Sequence, residues 1–296
     1  MKNGFFRLRP ETQGLLYGLL GVAAFSLTLP ATRLAVRELP PLLVGLGRAE
    51  VAGALAALLL LVRRQRRPAR QHWPGLALVA LGVVVGFPLL SAWAMQRVPA
   101  AHGAVLVGLL PLATAVAGVV RAGERLPGRF WLCSVLGTAV LFGFVLSSGG
   151  GSLRLADAGL LVAVAAAAIG YAEGGRLARQ LGGWQTICWA LVLAAPFLTV
   201  PVGLAVVGQN LLQASAVAWG GFAYVSVVSM FLAFFAWYHG LALGGIARVG
   251  QVQLLQPLLT IAASALLLGE AVSPAVLLTA ALIIGTVALG RKAAPR

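Results

Sequence analysis

The 296-residue chain is 60% hydrophobic and only 10% charged, with a mean hydropathy of +0.95, whereas a soluble domain is about half apolar and a quarter charged. A soluble protein of this make-up would expose apolar patches large enough to aggregate, so the composition calls for lipid as solvent. The formal charge of +15 does not signal nucleic acid, because the charges sit in short loops between apolar runs and form no basic helix face.

A spanning helix needs about 20 mostly apolar residues rising 1.5 Å each. Ten such runs follow one another, at 15–34, 41–62, 75–95, 100–120, 130–146, 158–178, 184–206, 217–241, 246–268 and 275–289. The first is too long for a signal-peptide core and no A-x-A site follows it, so it reads as a retained span. The second carries Arg48 and Glu50. They are two apart and point to different sides of a helix, so they cannot simply pair. Ionisable groups at this depth are expensive and point to function. Glu50 either holds a coupling proton or a substrate amine, or it joins an ion pair with another span. The basic run RRQRRPARQHW at 63–73 reads as a topology determinant on the anionic leaflet.

The third span ends at Trp93 and Gln96, and the fourth holds Pro111. Cys133 and Cys188, in the fifth and seventh, are buried thiols without metal or redox spacing. In the sixth, Tyr171 lies one turn from Gly174 and Gly175, placed to touch a solute, while Glu173 and Arg176 form an interfacial pair. The eighth ends Trp237-Tyr238-His239. The ninth holds Gln251 near one end, then Gln253, Gln256 and Thr260 at i, i+3 and i+7, one polar stripe running through Pro257. Amides at bilayer depth either join helices or bind a polar solute. The proline break through the stripe favours solute lining.

Lys and Arg accumulate in cytoplasmic loops. With the N-terminus inside and ten spans, only Arg33, Arg37, Arg97 and Arg154 lie outside and Arg48 lies within a span, leaving 17 of the 22 Lys and Arg on the cytoplasmic side. Both termini are then cytoplasmic, and the setting is a bacterial inner membrane.

At a constant offset of 146, Trp73 falls on Trp219, Gly75 on Gly221, Ala101 on Ala247, Pro111 on Pro257, Thr114 on Thr260, Gly123 on Gly269 and Glu124 on Glu270. The chain therefore divides into two five-span halves, 1–148 and 149–296. Five is odd, so the second half enters the bilayer upside down. Inverted repeats around a central midplane cavity are a recurring transporter plan, suited to alternating access. The expected class is thus all-α and integral to the membrane.

Pro111 with Gly123-Glu124 and Pro257 with Gly269-Glu270, set in ten spans of two halves, resemble the drug/metabolite transporter superfamily, in particular the EamA-type permeases. The resemblance covers about 15–289. It implies export of a small organic solute: an amino acid, a related metabolite or a drug. No residue singles out one group such as the YddG-type amino-acid exporters.

Each proline lacks an N–H and clashes with the carbonyl four residues back, freeing those of Val107 and Gln253. The pair either flanks a central site or makes packing kinks. Gln253, Gln256, Thr260, Tyr171, Trp93 and Tyr238 are the solute-binding candidates. At the 146 offset Trp93 matches His239 and His102 matches Arg248, so each pair would sit at opposite membrane faces, either as gates or as interface anchors. Glu50, His239 and His102 are the candidates for proton coupling. Glu124 and Glu270 are expected to cap spans five and ten or to pair with nearby arginines.

An intramembrane hydrolase would want H-E-x-x-H or G-x-S-x-G, and neither occurs. The Gly-rich run at 147–152 is too short to cradle phosphate. A channel would come from charged or carbonyl rings, which are absent from the pattern. Expected partners are the bilayer and a zwitterionic or weakly polar solute, because a multiply charged anion would want several cations at depth. The pattern requires no cofactor or metal, no nucleic acid and no oligomer.

Overall fold

The computed structural model describes residues 9–123, 127–148 and 154–292. Glu124, the boundary at 148/149 and most of the Gly-rich run fall outside those residues. Among the described residues the chain is all helical. Eight helices are long and apolar enough to cross a bilayer: α1 (Pro10–Ala35), α2 (Leu43–Val62), α3 (Arg70–Met95), α4 (Ala100–Arg121), then, after α5, α6 (Leu155–Leu181), α7 (Gly183–Val206), α8 (Ala216–Gly244) and α9 (Ile246–Leu268). The remaining two, α5 (Gly128–Ser148) and α10 (Pro274–Lys292), carry shorter apolar runs. Helix starts extend beyond the apolar runs: α1 begins five residues early at Pro10, where a missing N–H costs nothing.

α1 packs along α8, α2 along α7, α3 along α6, α4 against α6 and α9, and α5 along α10. Lipid supplies no hydrophobic drive between helices, so close backbone approach must hold them together. The α1–α8 seam shows how: a Cβ on Gly14 would fall 2.6 Å from the Gly244 nitrogen, and one on Gly240 would fall 2.8 Å from the Gly18 nitrogen. Large side chains such as Leu61, Val120 and Leu266 point outward, 75%, 76% and 85% exposed, onto the surface that lipid covers.

The prolines act differently from the expected kinks. α4 stops at Val107 and restarts at Leu110, so Pro111 occupies the second position of a new helix. α9 passes through a 3-10 turn, Gln251–Leu255, and restarts at Gln256 with Pro257 second. At a first turn the N–H needs no helical partner. The helices break before each proline rather than bend at it. The two breaks also meet, since a Cβ on Gly108 would lie 3.2 Å from Pro257 Cγ.

The glycines before each Glu have a matching role. Gly123 (φ +68°) closes α4 and Gly269 (φ +63°) closes α9, both in the left-handed conformation that glycine adopts without strain. Glu270 then caps α4 rather than span ten. Its carboxylate accepts from the backbone N–H of Ala100 (3.0 Å) and Ala101 (2.9 Å), and Arg33 Nε stands 3.7 Å away. The cause is geometric: the loop after α9 lies beside the start of α4, where orphan N–H groups and the helix dipole favour an anion.

Glu173 is fully buried and takes both Arg176 (2.5 Å) and Arg121 (3.0 Å), so the expected pair is a triad that ties α6 to α4.

Candidate functional site

A narrow cavity lies where α1, α2, α3, α6, α8 and α9 converge. Only about 20 Å³ of it is open to the centre of a water molecule, room for about one water. Phe25, Phe87, Tyr171 and Phe234 form an aromatic wall, and Thr28, Arg48, Ser229 and Gln256 supply the polar groups. A second, larger crevice between α3, α4 and α6 is lined by Leu78, Ala113, Val116 and similar side chains, with Arg121 its one charged group. Polar groups converge only on the first.

Irregular backbone builds this site. Thr28 follows the turn at Leu27, Arg48 follows a wide π turn at Leu43–Gly47, and Phe87 follows another at Ala80–Gly86. Ser229 and Met230 lie inside a third, Tyr224–Leu232, and Gln256 follows the 3-10 turn. Such departures free or redirect backbone groups, and a membrane protein tolerates them where they face protein or a cavity. Tyr171 is the exception, standing on the unbroken α6.

The polar groups are unevenly satisfied. Thr28 and Ser229 share a hydrogen bond of 2.8 Å between hydroxyls. Arg48 donates to the Gly45 carbonyl (3.4 Å) and to Ser91 Oγ (3.2 Å), while its Nη1 has no partner. Gln256 Oε1 is buried without a donor, and both polar atoms of Gln253 are buried without a partner. Around the aromatic wall, Phe25 lies 4.9 Å from Phe234, and Tyr171 5.4 Å from Trp237, between ring centroids.

Of the solute-binding candidates, Gln256 and Tyr171 line the cavity. Tyr238 stands behind Phe234 (5.3 Å), donates to the Gly170 carbonyl (3.1 Å) and presses its ring on Gly174. Gln253 is buried outside the lining, one 3-10 turn before Gln256. Thr260 donates to the Ser26 carbonyl (2.8 Å) and joins α9 to α1. Trp93 lies away from the cavity, packed on Gly159 with the Arg97 guanidinium 4.2 Å over its ring.

The coupling candidates separate too. Glu50 turns outward and accepts from Thr199 of α7 (3.0 Å), so it joins no ion pair and misses the cavity. His239 is exposed, edge-on to Tyr17 at 4.7 Å. His102 is buried and contacts Asp157 Oδ1 at 2.7 Å. Asp157 is fully buried at the start of α6 and accepts from the Arg154 N–H. Asp157, Thr28, Ser229 and the phenylalanines were missed in sequence. Arg48 carried a signal, as the one cation that fitted neither side of the topology.

A bundle of apolar helices closing on a partly polar midpoint cavity, with broken helices at its edge, defines a multi-pass membrane transporter. The model of the EamA-like transporter family matches residues 12–146 and again 154–290, and the chain belongs to that family, whose members are transporters and not enzymes. It is 47% identical over 285 residues, 96% of this chain and 99% of the relative, to the "Uncharacterized transporter YdeK" of Bacillus subtilis (strain 168). It is 25% identical over 279 residues, 92% of each chain, to a "Probable terminal-alkyne amino-acid exporter" of Streptantibioticus cattleyicolor. A solved crystal structure shares the fold, with a TM-score of 0.68, 19% identity, and 96% of this chain and 98% of the other covered.

Proposed function

We propose that the chain is a secondary exporter of a small zwitterionic or weakly polar solute, an amino acid or a related metabolite or drug, working by alternating access in a bacterial inner membrane. The carrying observation is the narrowness of the central cavity. Small-molecule pockets usually occupy about 300–1,000 Å³, against the 20 Å³ open to water centres here, so loading requires the helices to part. The amino-acid exporter among the relatives supports the solute class.

The moving parts are two inverted halves, 1–148 and 149–296, with both termini cytoplasmic. Support comes from the paired features: the breaks before Pro111 and Pro257, the left-handed Gly123 and Gly269, the wide turns at Ala80–Gly86 and Tyr224–Leu232, and the twofold match to the family. Saturable counterflow in proteoliposomes is the expected result of a solute screen. Product formation, or flux that never saturates, refutes the carrier.

Export is driven by exchange with protons, with the buried His102–Asp157 contact as the exchanging group. A facilitated uniporter is the second reading. D157N should abolish gradient-driven transport and spare counterflow, whereas E50Q should leave both intact. Unchanged gradient-driven transport in D157N favours the uniporter.

A further inference from the structure

The carboxylates among the described residues all find partners. Glu11 pairs with Arg248, Glu38 accepts from Ser215, Glu50 from Thr199, and Asp157 contacts His102. Glu173 takes Arg121 and Arg176, and Glu270 caps α4 beside Arg33. These are all the carboxylates among the described residues, Glu124 lying outside them. None reaches Arg48, which is 0% exposed and lines the central cavity.

A guanidinium buried without a counter-charge is costly, because neutral acceptors do not replace the lost water. Arg48 has two long neutral bonds, to Gly45 O and Ser91 Oγ, and Nη1 has none. A fold keeps such a cost where another molecule relieves it. The planar fork of a guanidinium matches a carboxylate, and one cation balances one negative charge.

We propose that Arg48 anchors the carboxylate of the cargo in the central cavity, and that the cargo is a monocarboxylate. Gln256 Oε1, an unpartnered acceptor on the same cavity, receives a donor such as an ammonium, and the rings of Phe25, Tyr171 and Phe234 receive the apolar remainder. This deepens the exporter reading and rests on it.

The test uses the purified full chain with leucine, methionine, phenylalanine and tryptophan, each beside its carboxamide, read by ligand-induced thermal stabilisation and by counterflow in proteoliposomes. Expected is that at least one amino acid stabilises and counterflows while its carboxamide does neither. R48K should weaken binding of that amino acid by about tenfold or more, as for a lost charge-assisted fork. R48Q should lose the preference for acid over amide. R48Q without ligand should melt no lower than wild type, because the unpaired charge is gone; a purely structural role for Arg48 predicts the reverse.

Equal response to acid and amide, or an acid preference surviving in R48Q, overturns the anchor. If none of the panel acts but another solute counterflows, the exporter stands and the anchor falls. If no solute counterflows at all, both fall.

Discussion

Replacing Glu270 tests whether the loop after α9 secures the start of α4. The carboxylate holds two backbone N–H groups, at 3.0 and 2.9 Å, with Arg33 3.7 Å away. A hydrogen bond to a charged group contributes about 1.5–3 kcal/mol, and losing a side-chain helix cap costs about 0.5–2 kcal/mol. The side chain is 12% exposed, so water replaces part of the loss. E270A is therefore expected to cost about 2 kcal/mol, or roughly 3 °C in apparent melting temperature for a chain of this size. E270Q keeps the shape but offers one acceptor oxygen and an amide N–H₂ that repels the second backbone donor, so it should also melt lower. R33Q should cost less than either, because Glu270 keeps both backbone bonds. The assay is thermal unfolding of the detergent-purified variants, followed by tryptophan fluorescence. An unchanged melting temperature in E270A, or a larger loss in R33Q, would show that the loop and α4 are held by something else.

A Cβ on Gly174 would overlap the ring of Tyr238, which is fully buried and anchored on the Gly170 carbonyl. G174A should cost about 1–3 kcal/mol by overpacking and slow transport by disturbing Phe234, whereas G143A, with open space around it, should do neither; thermal melts and counterflow read both. E173Q leaves Arg121 and Arg176 without their shared counter-charge and with one acceptor oxygen in place of two. Breaking a fully buried pair costs about 3–5 kcal/mol, and with both arginines 39% exposed the expected loss in a thermal melt is nearer 1–3 kcal/mol. R121Q should cost less, because Arg176 remains. Glu38, in the loop after α1, is held below its ordinary value of 4.5 by hydrogen bonds from Ser215. A depressed folded-state value means stability that is present above pH 4.5 and lost as the pH falls through the folded value. The melting difference between wild type and E38Q should therefore narrow below that pH and stay constant above it.

The helices were readable because twenty apolar residues in a row have few other uses, and the placement of the arginines needed nothing beyond charge. Tyr171 and Gln256 were legible at the cavity because a polar atom at bilayer depth must meet something. Gln253 shows the limit: helical spacing put it on one stripe with Gln256, yet it is buried outside the cavity lining, beside a backbone break that spacing does not reveal. The roles of the prolines turned on the same point, since a proline inside an apolar run looks alike whether the helix bends or restarts. Glu270 was read as a local cap, as spacing suggests, but its partners lie 170 and 169 residues earlier in the chain. Glu50 and Arg48, two apart on one helix, face different ways, and spacing alone did not say which of them would meet the cavity.

Those wide turns have a consequence for how such a protein can change its cargo. A π turn holds one residue more than the helical register needs and so takes up a change of one residue locally, whereas the same change in regular helix swings everything beyond it by about 100°. Arg48 and Phe87 each stand immediately after such a turn. What faces the cavity is therefore a matter of phase as well as of residue identity. A single deletion within Ala80–Gly86 would close that turn and leave Phe87 in phase, whereas one in regular helix would withdraw the residues beyond it and present their neighbours instead. In this architecture selectivity can be rewritten by one-residue changes in length, which a comparison of substitutions alone would pass over.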